Sequence, residues 1–268
     1  MNIMLLTAGI LLLGVTALDF GYTTISANRS GPLTRRTAAG LWAAFRILGR
    51  APGSNPVVRL AGPLVMSGVA IMWIVLTAVG WLLIFRSHPQ SLVMTSSTDP
   101  AGWLDTMAFV GSAFSTVGAS NARPASSLWD NVSMVTAING MVVLTLSVTF
   151  VLNITQTVAA GRGFSALIRD RDPAGEEGGQ LLPDLSNLVA RLNASPLALY
   201  YSTLRQDRSL PESLLWLAKR VVARPSEFPR YRYVLLDLPY LEADENSDPD
   251  DFVKAMESWT RQFSLSPQ

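Results

Sequence analysis

Three stretches of the chain run without charge for long enough to cross a bilayer, and shorter rhythms of hydrophobic and polar positions fill the intervals. Ile3 to about Leu18 is apolar and uncharged and continues through Asp19 to Ile25. Pro63 to Phe85, "PLVMSGVAIMWIVLTAVGWLLIF", holds 23 residues without a charge, and Val132 to about Ala160 is likewise uncharged. A span needs about 20 apolar residues, so the pattern predicts three transmembrane helices. The first stretch lacks the basic segment that opens a signal peptide and is followed by arginines, so it reads as a span rather than a cleaved leader.

The interval between the second and third spans is the unusual one. "SHPQSLVMTSSTDPAG" reads as an exposed loop. Trp103 to Phe114 is then apolar with small residues, with Asp105 near the positive end of the helix dipole. Twelve residues make a helix of about 18 Å, little more than half the hydrocarbon thickness. Such a helix enters a bilayer without crossing it, and the chain must return as the non-helical tract "FSTVGASNARP", residues 114–124. Bare backbone is tolerated at that depth only where it is buried in protein or lines water. A re-entrant, pore-lining segment is therefore expected.

Past residue 160 the texture changes. Residues 169–184, "RDRDPAGEEGGQLLPD", form a charged Gly/Pro linker. Helices are predicted from Ser186, over "LPESLLWLAKRVV" with its early Glu212 and late Lys219 and Arg220, and over "DPDDFVKAMESWTRQF" behind a capping Asp248. In the last, Phe252, Ala255, Met256, Trp259 and Phe263 follow helical spacing. "YRYVLLDLPYL" reads as a strand or a short buried run.

Charge sorts the two halves. The first 160 residues hold 8 of the 21 Lys and Arg and 4 of the 20 acids. Residues 26–62 carry six arginines and no acid; residues 86–131 carry Arg86 and Arg123 against Asp99, Asp105 and Asp130. The positive-inside bias puts the first loop and the C-terminal part in the cytoplasm and the N-terminus outside. Leu41, Trp42, Phe45, Ile47 and Leu48 make that loop amphipathic, suited to lipid headgroups or to packing on protein. A net charge of +1 gives no sign of nucleic acid as a partner. With no cysteine and only His88, thiolate and multi-histidine metal sites are excluded, as are the usual constellations of a membrane enzyme.

The order of a span, a half-length helix, Thr116-Val117-Gly118, Pro124, Leu128-Trp129 and a further span resembles the pore domain of tetrameric potassium channels, across about residues 63–156. That family's filter runs Thr-Val-Gly-Tyr-Gly-Asp, with Pro three residues on. Here Thr116, Val117, Gly118, Ala119, Ser120 and Asn121 stand in those places, followed by Pro124. The resemblance implies ion-conducting carbonyls at residues 116–120, support from Ser115, Asn121 and Pro124, a hinge or packing glycine at Gly140, and a homotetramer around the axis. Asn139, Thr145, Ser147 and Thr149 would face the cavity or bond back to helix carbonyls. Ala119 cannot make the aromatic cuff of the family's Tyr. Ser120 would occupy a left-handed position at about 1 kcal/mol per copy. Asn121 removes a charge from the mouth and Arg123 adds one of opposite sign. A weakly selective filter follows.

The expected organisation is an all-α membrane protein. It has an N-terminal span (1–25), a basic cytoplasmic or interfacial loop (26–62), and a pore domain (63–160). That pore domain comprises an outer helix 63–85, a pore helix 103–115, a filter 116–120 and an inner helix 131–156. A linker (161–184) and a helical cytoplasmic domain (185–268) with an unidentified partner follow. The expected function is passive conduction of potassium or another monovalent cation across the cell membrane. No cofactor is expected, and lipids and monovalent cations are the partners. The rival expectation is a non-conducting scaffold or sensor that keeps the pore fold and signals through its C-terminal domain.

Overall fold

A computed structural model describes residues 1–24, 30–48, 55–168, 178–201, 209–245 and 247–263, with the side chains of 55–59 and 178–180 left out. The linker over 169–177, Arg29, Arg50 and the Arg59 side chain lie outside the described residues. The described chain is predominantly helical and forms two compact units.

The first unit gathers Met1–Thr24, Gly31–Thr34 and Val69–Phe150. Its first helix, α1 (Ile3–Thr24), is one of three among the described residues long and apolar enough to cross a membrane. The other two are α3 (Asn55–Arg86) and α5 (Ser127–Leu167), and each contributes a segment to each unit. Both outrun the expected spans, α3 starting well before Pro63 and α5 continuing past residue 160. Helix α1 meets α3 through small residues: a Cβ on Gly9 would stand 2.8 Å from the Gly80 carbonyl oxygen. Close backbone approach of this kind replaces the hydrophobic drive that lipid cannot supply. An edge-to-face stack, Phe20 on Trp73 at 4.8 Å and Trp73 on Phe150 at 4.9 Å, ties α1, α3 and α5 together.

Asp19, toward the C-terminal end of α1, is buried. It accepts hydrogen bonds from the Leu33 N–H (2.7 Å), the Thr34 N–H (3.2 Å), the Thr34 hydroxyl (2.6 Å) and the Trp73 indole (3.0 Å). Leu33 and Thr34 open helix α2 (Pro32–Leu48), so the carboxylate caps that helix from outside.

The interval read as an exposed loop is partly built into the core. Strand β1 (Leu92–Met94) pairs antiparallel with β2 (Ala122–Pro124) in the register Leu92 to Pro124, Val93 to Arg123 and Met94 to Ala122. Leu92 is buried with Phe85, Phe109, Val110 and Phe114. Between the strands stands α4 (Trp103–Phe114), as long as expected, with Asp105 accepting from the Gly102 N–H at 3.1 Å.

The second unit gathers Ile25–Ser30, Arg35–Gly68 and Val151–Gln268. Residues 35–48, expected to belong to a separate loop, share this unit with the C-terminal helices. Ala38 and Trp42 are buried one turn apart on α2, and the Trp42 ring meets Tyr200 at 5.4 Å, so α2 packs on protein through this stripe while Ile47 and Leu48 stay exposed. Helix α6 (Gly178–Ala194) begins earlier than Ser186 and takes in the end of the expected linker. A 3-10 turn at Pro196–Tyr200 leads on, and α7 (Leu210–Val222) has the expected bounds, with Ser209 accepting from the Glu212 N–H.

"YRYVLLDLPYL" is not a strand; it is the buried alternative, with Tyr231, Leu235 and Leu238 turned inward. Its first part belongs to α8 (Phe228–Leu236), started by Pro229 in the first turn and holding Tyr231 and Leu235 inward. Helix α9 (Pro249–Gln262) buries Phe252, Met256 and Trp259, and the Trp259 indole donates to the Pro239 carbonyl at 2.8 Å. On the surface Lys219 meets Glu257 at 2.6 Å, and this hydrogen bond and charge hold the Glu257 carboxyl below the usual glutamate range.

Candidate functional site

The site begins where α4 stops. The Val117 N–H donates to the Ser112 carbonyl at 3.0 Å and the Thr116 N–H to the Ala113 carbonyl at 3.1 Å. This crossed pair is the Schellman ending of a helix, which places the residue after the C-cap in the left-handed region. Glycine usually fills that place. Here it is Thr116, at φ 58°. A β-branched residue there is a strained exception, costing roughly 1–2 kcal/mol. Ser115 reinforces the stop, its hydroxyl donating to the Gly111 carbonyl at 2.7 Å.

Two residues on, Gly118 is again left-handed at φ 72°, while Val117 between them is not. Ser120, expected in a left-handed position, has an ordinary φ. The strain falls on Thr116 because the helix stop dictates it. Ser120 instead turns the chain with its side chain, its hydroxyl accepting from the Ala122 N–H at 3.1 Å.

Backbone satisfaction is uneven along the tract. The carbonyls of Gly111, Ser112 and Ala113 are taken by the helix stop, and the Asn121 carbonyl accepts from the Thr95 N–H at 2.7 Å. Among the described residues, no donor lies on the carbonyl oxygens of residues 115–120. Val117, Gly118 and Ala119 are exposed, and nothing stands within 4 Å of a Cβ built on Gly118. Six successive unpaired carbonyls sit beside a cleft of about 450 Å³, lined by Phe109, Ser112, Thr116, Gly118, Asp130 and Met134 among others.

The C-terminal end of the tract is fixed by the strand pair. Pro124 lies opposite Leu92, and the Ala125 N–H donates to the Ser91 carbonyl at 3.0 Å. Trp129 leans on Phe85 at 5.6 Å and on His88 at 6.0 Å. Leu128 is exposed.

The start of the tract is fixed by Gly140. A Cβ there would run into the Phe114 carbonyl oxygen and stand 2.8 Å from the Phe114 Cα. Of the two roles open to Gly140, close packing is the one observed: the end of α4 rests on α5 because that position has no side chain. One residue earlier, Asn139 accepts from the Trp81 indole at 2.9 Å, locking α5 to α3. Gly140→Ala is expected to destabilise the fold by about 1–3 kcal/mol, as overpacking of backbone does. It should appear as a lower midpoint of thermal unfolding followed by tryptophan fluorescence.

The other polar groups of α5 divide. Thr149 donates back to the Thr145 carbonyl at 3.1 Å, and both are exposed one turn apart. Ser147 is buried, and its hydroxyl has no partner among the described residues. Two residues carry more of the site than their sequence context announced. Ser112 supplies the carbonyl that folds the tract back, and Asp130 lines the cleft. A small polar residue one turn before the end of an apolar half-helix was the available signal for the first. The second showed only as a loop charge.

No protein-family model matches the chain. No solved structure matches it either. Among curated proteins, the "Uncharacterized membrane protein YdjJ" of Bacillus subtilis (strain 168) is 31% identical over 233 aligned residues, which cover 78% of this chain and 67% of the relative. With three span-length helices, that identity and that coverage, the chain is a membrane protein belonging to the family of YdjJ.

Proposed function

We propose that four copies of the chain assemble around an axis into a passive pore for monovalent cations, built like a potassium channel and only weakly selective. The observation that carries this reading is the run of unpaired carbonyls at residues 115–120 between two span-length helices. In hydrocarbon each unsatisfied carbonyl costs several kcal/mol, so a run of them needs water or a cation. A fourfold arrangement lets such oxygens replace a cation's hydration shell. Left-handed residues at Thr116 and Gly118, with Val117 between them in the other hand, are what turning successive carbonyls to one side requires. The exposed Thr145 and Thr149 suit the wall of a water-filled cavity better than a lipid contact.

In this reading α4 is a re-entrant pore helix, residues 116–120 are the filter, α5 is the inner helix, and the second unit lies in the cytoplasm with the N-terminus outside. Ala119 leaves the filter without an aromatic brace, so discrimination between potassium and sodium is poor. The rival reading is a non-conducting scaffold or sensor that keeps the pore fold and signals through the second unit. Flux in liposomes separates them. Purified protein should admit potassium and sodium at rates within about tenfold of each other, less than 1.4 kcal/mol of discrimination. No flux of either ion from a folded tetramer would rule out conduction, and a strong potassium preference would rule out the relaxed filter.

A further inference from the structure

In the first unit four of the six Asp and Arg side chains have a partner. Asp19 caps α2, Asp99 accepts from the Ser97 hydroxyl at 2.8 Å, and Asp105 accepts from the Gly102 N–H. Arg86 donates to the Ala101 carbonyl at 2.7 Å and lies over the Trp103 ring at 4.8 Å. Asp130 and Arg123 are the exceptions: neither side chain has a hydrogen-bond or ion-pair partner among the described residues, although only seven positions separate them. Asp130 lines the cleft beside the tract, and Arg123 projects from β2, exposed.

The cleft itself is of mixed character. Phe109, Ala113, Met134 and Ala137 give it apolar walls. Ser112 adds a buried hydroxyl without a partner, and Asp130 and Asn131 add polar groups at one side. Lipid tails would leave those groups unsatisfied at a cost of several kcal/mol. A protein surface with apolar side chains and a cation fits both parts.

We infer that the cleft seats a second copy of this chain, whose Arg123 pairs with Asp130. The inference rests on the pore reading, because a closed ring gives every copy one neighbour on its Asp130 face and another on its Arg123 face. A charge pair at the edge of an interface chiefly fixes register and partner. Here it would set the rotation of each copy about the axis, and with it the spacing of the facing tracts.

The absence of cysteine makes the test clean. Arg123→Cys and Asp130→Cys chains are co-expressed, reconstituted and oxidised, and native mass spectrometry of the unsubstituted protein gives its stoichiometry. The expected result is a tetramer and a covalent dimer that forms only when both variants are present. Charge reversal gives a second readout that needs no disulfide. Arg123→Glu alone should shift the tetramer midpoint to about tenfold higher protein-to-detergent ratio, and adding Asp130→Arg should restore it to within about twofold, the behaviour of a coupled pair. A tetramer with neither cross-link nor rescue overturns the seat and leaves the pore reading standing. A monomer overturns both. Loss of bound anionic lipid from the Arg123→Glu protein in native mass spectrometry, with its stoichiometry unchanged, overturns the seat in favour of a lipid headgroup on Arg123.

Discussion

Replacing Gly118 by alanine is expected to abolish cation flux while leaving the fold largely intact. Nothing crowds the position, so the new methyl group meets no neighbour. The cost lies in the backbone, which holds φ 72°. An L-residue there costs about 1–2 kcal/mol. Four copies around one axis would bear that cost together, roughly 4–8 kcal/mol if each tract keeps its shape. The cheaper response is for the tract to flip, which turns a carbonyl away from the axis and breaks the row of oxygens. Potassium and sodium uptake by liposomes should therefore fall by at least about tenfold, with thermal unfolding within a few degrees of the parent. Unchanged flux would mean that residues 116–120 do not line the path.

Asp19→Ala is expected to destabilise the protein by about 3–4 kcal/mol, because buried donors left without an acceptor cost roughly 1–3 kcal/mol each. Two backbone N–H groups at the start of α2, the Thr34 hydroxyl and the Trp73 indole all converge on this carboxylate. Alanine leaves them facing a void. Asparagine keeps one acceptor oxygen and should cost about half as much. Trp73 sits on the carboxylate and stacks on Phe20 and Phe150, so its fluorescence should report the change directly. An unfolding midpoint unmoved by Asp19→Ala would mean the cap contributes nothing to stability and would leave Asp19 open to a transport role.

Much of the skeleton was legible because lipid imposes a simple rule. Long uncharged runs marked α1, α3 and α5, and a run half as long marked α4 over its observed residues. What escaped was set by contacts distant in sequence. Strand β1 pairs with β2 across about thirty residues, and neither strand is long enough to show alternation. "YRYVLLDLPYL" left a strand and a short buried run open, and Pro229 starts a helix there with Tyr231 and Leu235 anchoring it. Burial of Ala38 and Trp42 in the second unit rather than at a headgroup layer depends on Tyr200, far along the chain.

Within the candidate site the same division holds. Gly118 was readable because left-handed backbone selects glycine. Thr116 was not, because its strain comes from the way α4 ends and a threonine gives no hint of it. Ser120 looked strained by analogy and is ordinary, since its own hydroxyl makes the turn. Gly140 pointed to close packing ahead of a hinge, since small residues favour helix contacts in membranes, and the Phe114 backbone lies against it.

The central claim is that the unpaired carbonyls of residues 115–120 face a cation on a fourfold axis. The most direct measurement is the structure of the protein reconstituted in lipid with thallium, whose scattering distinguishes it from water. The expected result is a tetramer with thallium density on its axis, level with the carbonyls of Thr116, Val117 and Gly118. A monomer, or a tetramer with residues 115–120 packed away from the axis and no thallium beside them, would contradict the account.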